Sequence, residues 1–124
     1  MIHSTAIIHP GAQLHESVRV GPYSVIDEHV TVGAGCELAP HVHLTGHTTI
    51  GAENRFHAGC VIGDAPQDLK YSCEPTRLII GERNLFREHV TIHRSNTPSE
   101  DTRIGSENFF MANSHVGHNS IIGN

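Results

Sequence analysis

The stretch VRVGPYSVIDEHVTVGAGCEL (Val18–Leu38) decides the fold. An apolar residue stands at every sixth place in it: Val20, Ile26, Val32 and Leu38. Towards the N-terminus the series continues through Leu14, Ile8 and Ile2. Towards the C-terminus it runs Leu44, Ile50, Phe56, Ile62, then Ile80, Phe86, Ile92, then Ile104, Phe110, Val116 and Ile122. Eighteen of the twenty-one positions are Ile, Leu, Val or Phe, although those types make up only 31 of the 124 residues. The exceptions are Asp68, Glu74 and Pro98.

A period of six fits neither a helix nor an ordinary long strand. It fits a short strand followed by a corner. Side chains alternate along a strand, so the apolar residue and the one two places before it point inward. That second position holds Ser24, Val30, Cys36, Val42, Thr48, Asn54 and Cys60. Gly often follows the apolar residue, as at Gly21, Gly33, Gly51, Gly63, Gly81, Gly105, Gly117 and Gly123. We expect it to ease the corner where φ is positive. The spacing predicts an all-β chain, a parallel β-helix of hexapeptide repeats forming one domain over residues 1–124. Such a coil needs few large side chains, which accounts for 37 % hydrophobic residues, 5 % aromatic residues and no Trp.

Composition excludes several functions. A net charge of −5 with 8 Lys+Arg argues against nucleic-acid binding. No apolar run approaches the roughly 18 residues of a membrane span, so we expect no membrane insertion. Met1-Ile2-His3-Ser4 has neither the basic region nor the apolar stretch of a signal peptide. Cys36, Cys60 and Cys73 are odd in number and lack CxxC spacing, which points to free thiols and a cytoplasmic location.

The three exceptions to the period locate two loops, about 64–78 and 94–103. Removing them leaves 18 hexapeptides, or about six coils with two protruding loops at the three strands per coil implied by the resemblance of this repeat to hexapeptide-repeat β-helices. At three strands per coil, Ile7, Val25, His43, Val61, Thr91 and His115 point outward on one face. Both loops leave from the corner after that face, where His93 and His118 also fall, with His115 adjoining. His3, His9, His15 and His57 occupy the position of many of the glycines and read as corner residues. Exposed Ile7, Val25 and Val61 point to a subunit interface. A neutral imidazole such as that of His118 suits a general base near pH 7. On the first loop, Asp68 offers a carboxylate that can accept from sugar hydroxyls or orient a base, and Lys70 offers a cation to a phosphate, carbonyl or carboxylate.

The repeat resembles the hexapeptide-repeat, left-handed β-helix family, and the left hand is implied by that resemblance. More specifically, GDAPQDLKYSCEPTRLIIGERNLFREHVTIHR (Gly63–Arg94) with NSHVGHNSIIGN (Asn113–Asn124) resembles the bacterial UDP-N-acetylglucosamine acyltransferase family of lipid A synthesis. The resemblance covers nearly the whole chain from Ile8 onward. It implies transfer of an R-3-hydroxyacyl chain from acyl carrier protein to the 3-hydroxyl of UDP-N-acetylglucosamine. It implies a homotrimer with neither metal nor other cofactor. By motif, His118 of HVGH resembles the catalytic base. Asp68 and Lys70 of QDLKY, His93 of TIHR and His115 of HVGH resemble substrate-binding and positioning residues.

Two departures stand out. Many family members have Asp after the catalytic histidine, where this chain has Asn119. The family is also about twice as long, so we expect an N-terminal fragment, inactive by itself. Three alternatives remain: a γ-carbonic-anhydrase-like zinc enzyme using His93, His115 and His118; another hexapeptide acyltransferase; and a non-catalytic β-helix remnant.

Overall fold

A computed structural model describes residues 1–124. Seventeen short strands stack into three parallel sheets. The first holds β1 (Ile7–Ile8), β4 (Val25–Ile26), β7 (His43–Leu44), β10 (Val61–Asp64), β13 (Thr91–His93) and β16 (His115–Val116). The second holds β2 (Gln13–Leu14), β5 (Thr31–Val32), β8 (His47–Ile50), β11 (Arg77–Ile80), β14 (Thr102–Ile104) and β17 (Ile121–Ile122). The third holds β3 (Arg19–Val20), β6 (Glu37–Leu38), β9 (Arg55–Phe56), β12 (Leu85–Phe86) and β15 (Phe109–Phe110). Each strand pairs with the one a full coil away, giving a parallel β-solenoid of about six turns.

The register matches the period. Ile7, Val25, His43, Val61, Thr91 and His115 form one outward column through successive pairings. Adjacent coils are joined by backbone bonds such as Arg19 N–H to the Cys36 carbonyl, 3.0 Å, and His43 N–H to the Cys60 carbonyl, 2.9 Å.

Both inward positions of the hexapeptide are buried. Ile26, Val32, Leu44, Ile62 and Ile92 fill the core, and Ser24, Val30, Cys36, Val42, Thr48, Asn54 and Cys60 line it beside the corners. Phe56, Phe86 and Phe110 stack in adjoining coils with ring centroids 4.7 and 5.0 Å apart. Asn54, Asn84 and Asn108 form a second ladder. The Asn84 amide donates to Asn54 Oδ1 at 3.0 Å and to the Gly105 carbonyl at 2.9 Å. Its oxygen accepts the Asn108 N–H at 2.9 Å. These amides satisfy corner backbone groups that the strands leave unpaired.

The glycines correct the sequence reading. Of those that follow the core residue, only Gly63 has positive φ, at 90°. Most of the others are there because neighbouring corners nearly touch: a Cβ on Gly51 would lie 2.6 Å from the Gly81 oxygen. Positive φ falls two places later in the repeat, on Tyr23, Gly35, His41, Glu53, Gly59, Arg83, His89, Glu107, Asn113 and Asn119.

Replacing Asn84 by Ala would strand the Asn108 N–H and the Gly105 carbonyl in the interior. We expect a loss of about 2–4 kcal/mol in urea unfolding. A change below about 0.5 kcal/mol, the surface-substitution scale, would contradict a structural role for the ladder.

Candidate active site

Two segments leave the coil, residues 65–76 between β10 and β11, and residues 94–101 between β13 and β14. Both leave the same edge, between the first and second sheets. A bulge prepares that edge. Ile62 pairs with Ile92, but the next pair is Asp64 with His93, so Gly63 is the extra residue. A side chain on Gly63 would collide with the Thr45 carbonyl and the Thr48 hydroxyl.

The freed Gly63 carbonyl accepts Arg94 Nη1 at 2.8 Å. Arg94 Nε donates to the Tyr71 hydroxyl at 3.2 Å, and its guanidinium lies 5.6 Å from the Tyr71 ring centroid. Tyr71 in turn donates to the Glu74 carbonyl. Arg94 thus staples the first loop to the base of the second.

The first loop presents Asp68 in a local turn. Its Oδ1 accepts the Lys70 N–H at 3.0 Å, and its carbonyl accepts the Tyr71 N–H at 3.0 Å. Asp68 Oδ2 accepts Asn96 Nδ2, from the second loop, at 2.9 Å. These bonds, first that from Lys70 N–H and then that from Asn96, hold its carboxyl below the usual carboxylate range. The nearby His118 adds a smaller lowering. Lys70 is exposed, and its ammonium forms no ion pair.

His118 Nδ1 lies 2.9 Å from Asn119 Oδ1. That oxygen also accepts the Asn96 N–H at 3.0 Å, while Asn119 Nδ2 donates to Glu100 Oε2 at 3.0 Å. The Asn119 N–H donates to Thr102 Oγ1 at 2.9 Å. Asn119 has φ of 62°, a conformation asparagine tolerates better than most residues. A carboxylate and a backbone N–H fix the two ends of its amide, so His118 Nδ1 faces an acceptor. In a neutral imidazole this contact favours the proton on Nδ1, the form that leaves the Nε2 lone pair free.

His93 and His115 pack edge to face, ring centroids 4.6 Å apart. His115 Nδ1 is 2.8 Å from the Thr91 hydroxyl. His93 Nδ1 is buried without a partner. Its neutral ring is best satisfied with the proton on Nε2, since an unpaired donor would add to the cost of burial. The structure thus gathers Asp68, His93, His115 and His118 at one edge and leaves Lys70 reaching into solvent.

Sequence reasoning did not single out Arg94, Asn96, Glu100 or Thr102. The one signal for the last three was the failure of the period at Pro98, which marks their loop. A cleft of about 460 Å³ runs beside that loop, lined by residues that include Arg77, Glu100, Arg103 and Asn119. A groove of about 270 Å³ on the third sheet, around Arg19, Glu37 and Arg55, lies away from the histidines. No group of three or more His, Cys, Asp or Glu residues is arranged to hold a metal ion.

Residues 11–46 match the family model of the bacterial transferase hexapeptide, six repeats. Over that stretch the chain is similar to the hexapeptide-repeat transferase family. Within that family its similarity is to acyl-carrier-protein-dependent UDP-N-acetylglucosamine O-acyltransferases. It is 48 % identical over 124 residues to that enzyme from Saccharophagus degradans, covering 99 % of this chain and 48 % of the relative. The structure of LpxA from Acinetobacter baumannii superposes with a TM-score of 0.96 at 45 % identity, covering 99 % of this chain and 48 % of that one. UDP-N-acetylglucosamine O-acyltransferase from Moraxella catarrhalis gives 0.95 at 40 % identity, covering 98 % and 48 %. The chain spans about half the length of the relatives it matches.

Burial, and secondarily the facing His115, lower the proton affinity of His93 below its ordinary value of 6.5. The unfolded chain then binds this proton more readily than the native one. Stability from this source is complete above about 6.5 and falls as the pH drops below it towards the lowered native value. His47 acts in the same direction through burial and its stacked neighbour His29. We expect Tm to fall between about pH 6.5 and 5 and His93→Gln to flatten that slope. Thermal melts across the range check it, and an unchanged slope in the variant would contradict the assignment.

Proposed function

We propose that this chain carries the catalytic base of an O-acyltransferase. The enzyme moves an R-3-hydroxyacyl group from acyl carrier protein to the 3-hydroxyl of UDP-N-acetylglucosamine. The observation that carries the reading is the His118–Asn119 bond, which leaves Nε2 free at the edge where both loops meet.

His118 Nε2 takes the proton of the sugar 3-hydroxyl as its oxygen attacks the thioester carbonyl carbon. The tetrahedral intermediate collapses with cleavage of the C–S bond. The imidazolium then returns the proton to the departing carrier thiolate. The products are the O-acyl sugar nucleotide and free carrier thiol, with no net redox change and no cofactor.

Asp68, kept ionised by its hydrogen bonds, accepts from hydroxyl groups of the glucosamine ring. Lys70, free of ion pairs, offers its ammonium to the thioester carbonyl or a phosphate. His115 and His93 form the wall beside the base and position the substrate.

Assembly and location belong to the same reading. We assign a homotrimer, supported by the outward column of Ile7, Val25 and Val61, with Ile7 65 % exposed. We place the enzyme in the cytoplasm, in keeping with three unpaired cysteines. No helix is long and apolar enough to cross a membrane.

In the full-length protein, His118→Ala should lower kcat by about 10²–10⁴-fold with little change in KM. The assay pairs R-3-hydroxyacyl carrier protein with UDP-N-acetylglucosamine, with acetyl-CoA as the rival donor. Near-normal turnover in the variant, or preference for acetyl-CoA, would overturn the proposal.

A further inference from the structure

The asparagine beside the base poses a chemical problem. A carboxylate at that place could only accept a proton from His118 Nδ1. An amide presents either an acceptor or a donor, depending on which way it is turned. If turned over, it would offer Nδ2 to the ring, favour the Nε2–H form and remove the free lone pair that deprotonates the substrate.

We infer that Glu100, on the second loop, is a positioning residue that fixes the Asn119 amide and through it the proton-accepting form of His118. The inference rests on the reading of His118 as the base. Glu100 Oε2 accepts Asn119 Nδ2 at 3.0 Å, and a carboxylate has no N–H to offer the other end of the amide. At the opposite end, the Asn96 N–H donates to Asn119 Oδ1 at 3.0 Å. Turning the amide over would place a donor against the Asn96 donor and an acceptor against the Glu100 acceptor. Both contacts would be lost together, so the orientation is doubly determined.

The path from Glu100 to the reacting nitrogen is short: carboxylate, amide, imidazole, with bonds of 3.0 and 2.9 Å. Glu100 is exposed, so water screens its charge. Its leverage is therefore geometric. Asn96 extends the arrangement to the substrate side, because its side chain also holds Asp68 Oδ2 at 2.9 Å. The second loop thereby sets both the base and the carboxylate facing it.

The test reads the tautomer directly. In the full-length protein, ¹⁵N spectra of His118, at a pH where the imidazole is neutral, should show Nδ1 protonated. Glu100→Ala should shift the population towards Nε2–H and lower kcat about tenfold, the scale of one charge-assisted hydrogen bond, with KM unchanged. Adding Asn119→Asp to that variant should restore the Nδ1–H form and recover most of kcat, because a carboxylate can only accept. A residue that merely stabilised the loop would not be rescued this way. Should Glu100→Ala fail to fold, Glu100→Gln serves, with a smaller loss of about threefold and the same rescue.

An unchanged tautomer with kcat within about twofold of the parent would overturn the role of Glu100, and so would failure of the Asn119→Asp rescue. The tautomer is read without turnover. A normal tautomer response in a protein whose His118→Ala variant stays active would instead count against the base assignment.

Discussion

Every coil of this chain is held to the next by backbone hydrogen bonds between parallel strands, and that contact fixes what the sequence is allowed to do. Each strand can add to its neighbour only if every coil has nearly the same girth. The spacing of coils at the corners is so close that a Cβ on Gly51 would meet the Gly81 backbone. Residues facing inward must then repeat in size as well as polarity. Stacked Phe56, Phe86 and Phe110 and the Asn54–Asn84–Asn108 ladder are two answers to the same demand. Extra chain has one place to go, outward at a corner.

That confinement explains why the chemistry gathers where it does. Both excursions leave one edge of the prism, and the bulge at Gly63 turns a backbone carbonyl towards Arg94. From there a continuous set of hydrogen bonds joins the first loop, the second loop and the corner that bears His118. The regular coils provide rigidity, and the loops provide polar side chains that the coils have no room for. On the proposed reading, an imidazole held in this way needs little rearrangement when substrate arrives, since its partner Asn119 is itself anchored by Asn96, Glu100 and Thr102.

The period of six made the inward and outward positions legible, and with the three strands per coil that the resemblance implies it gave the alignment of Val61 with Thr91 and His115. It also marked both excursions through the failures at Asp68, Glu74 and Pro98. The role of the glycines was not legible, because a close approach between coils and a positive φ call for the same residue. The left-handed corners themselves fall on His41, Glu53, Arg83 and His89, which no sequence rule singles out. At the site, His118, His115 and Asp68 stood out by motif and by face. Asn96 and Glu100 did not, because their positions depend on how an irregular loop folds back over the corner.

The same loop bears on the choice of Asn119 itself. That residue sits at a left-handed corner, where Asn and Asp are both tolerated, so backbone geometry does not decide between them. The neighbours do. Its side chain lies 3.0 Å from the Glu100 carboxylate, and Asp68 is tied to the same network through Asn96. A third carboxylate here would face Glu100 oxygen to oxygen, with two like charges repelling and no hydrogen bond between them. An amide avoids the repulsion and turns the contact into a hydrogen bond. In the proposed mechanism it gives up a charge next to the imidazolium that forms during reaction. In return it gains an orientation set from both ends, so a neutral side chain performs the orienting task of a carboxylate only because the second loop supplies one a residue further away.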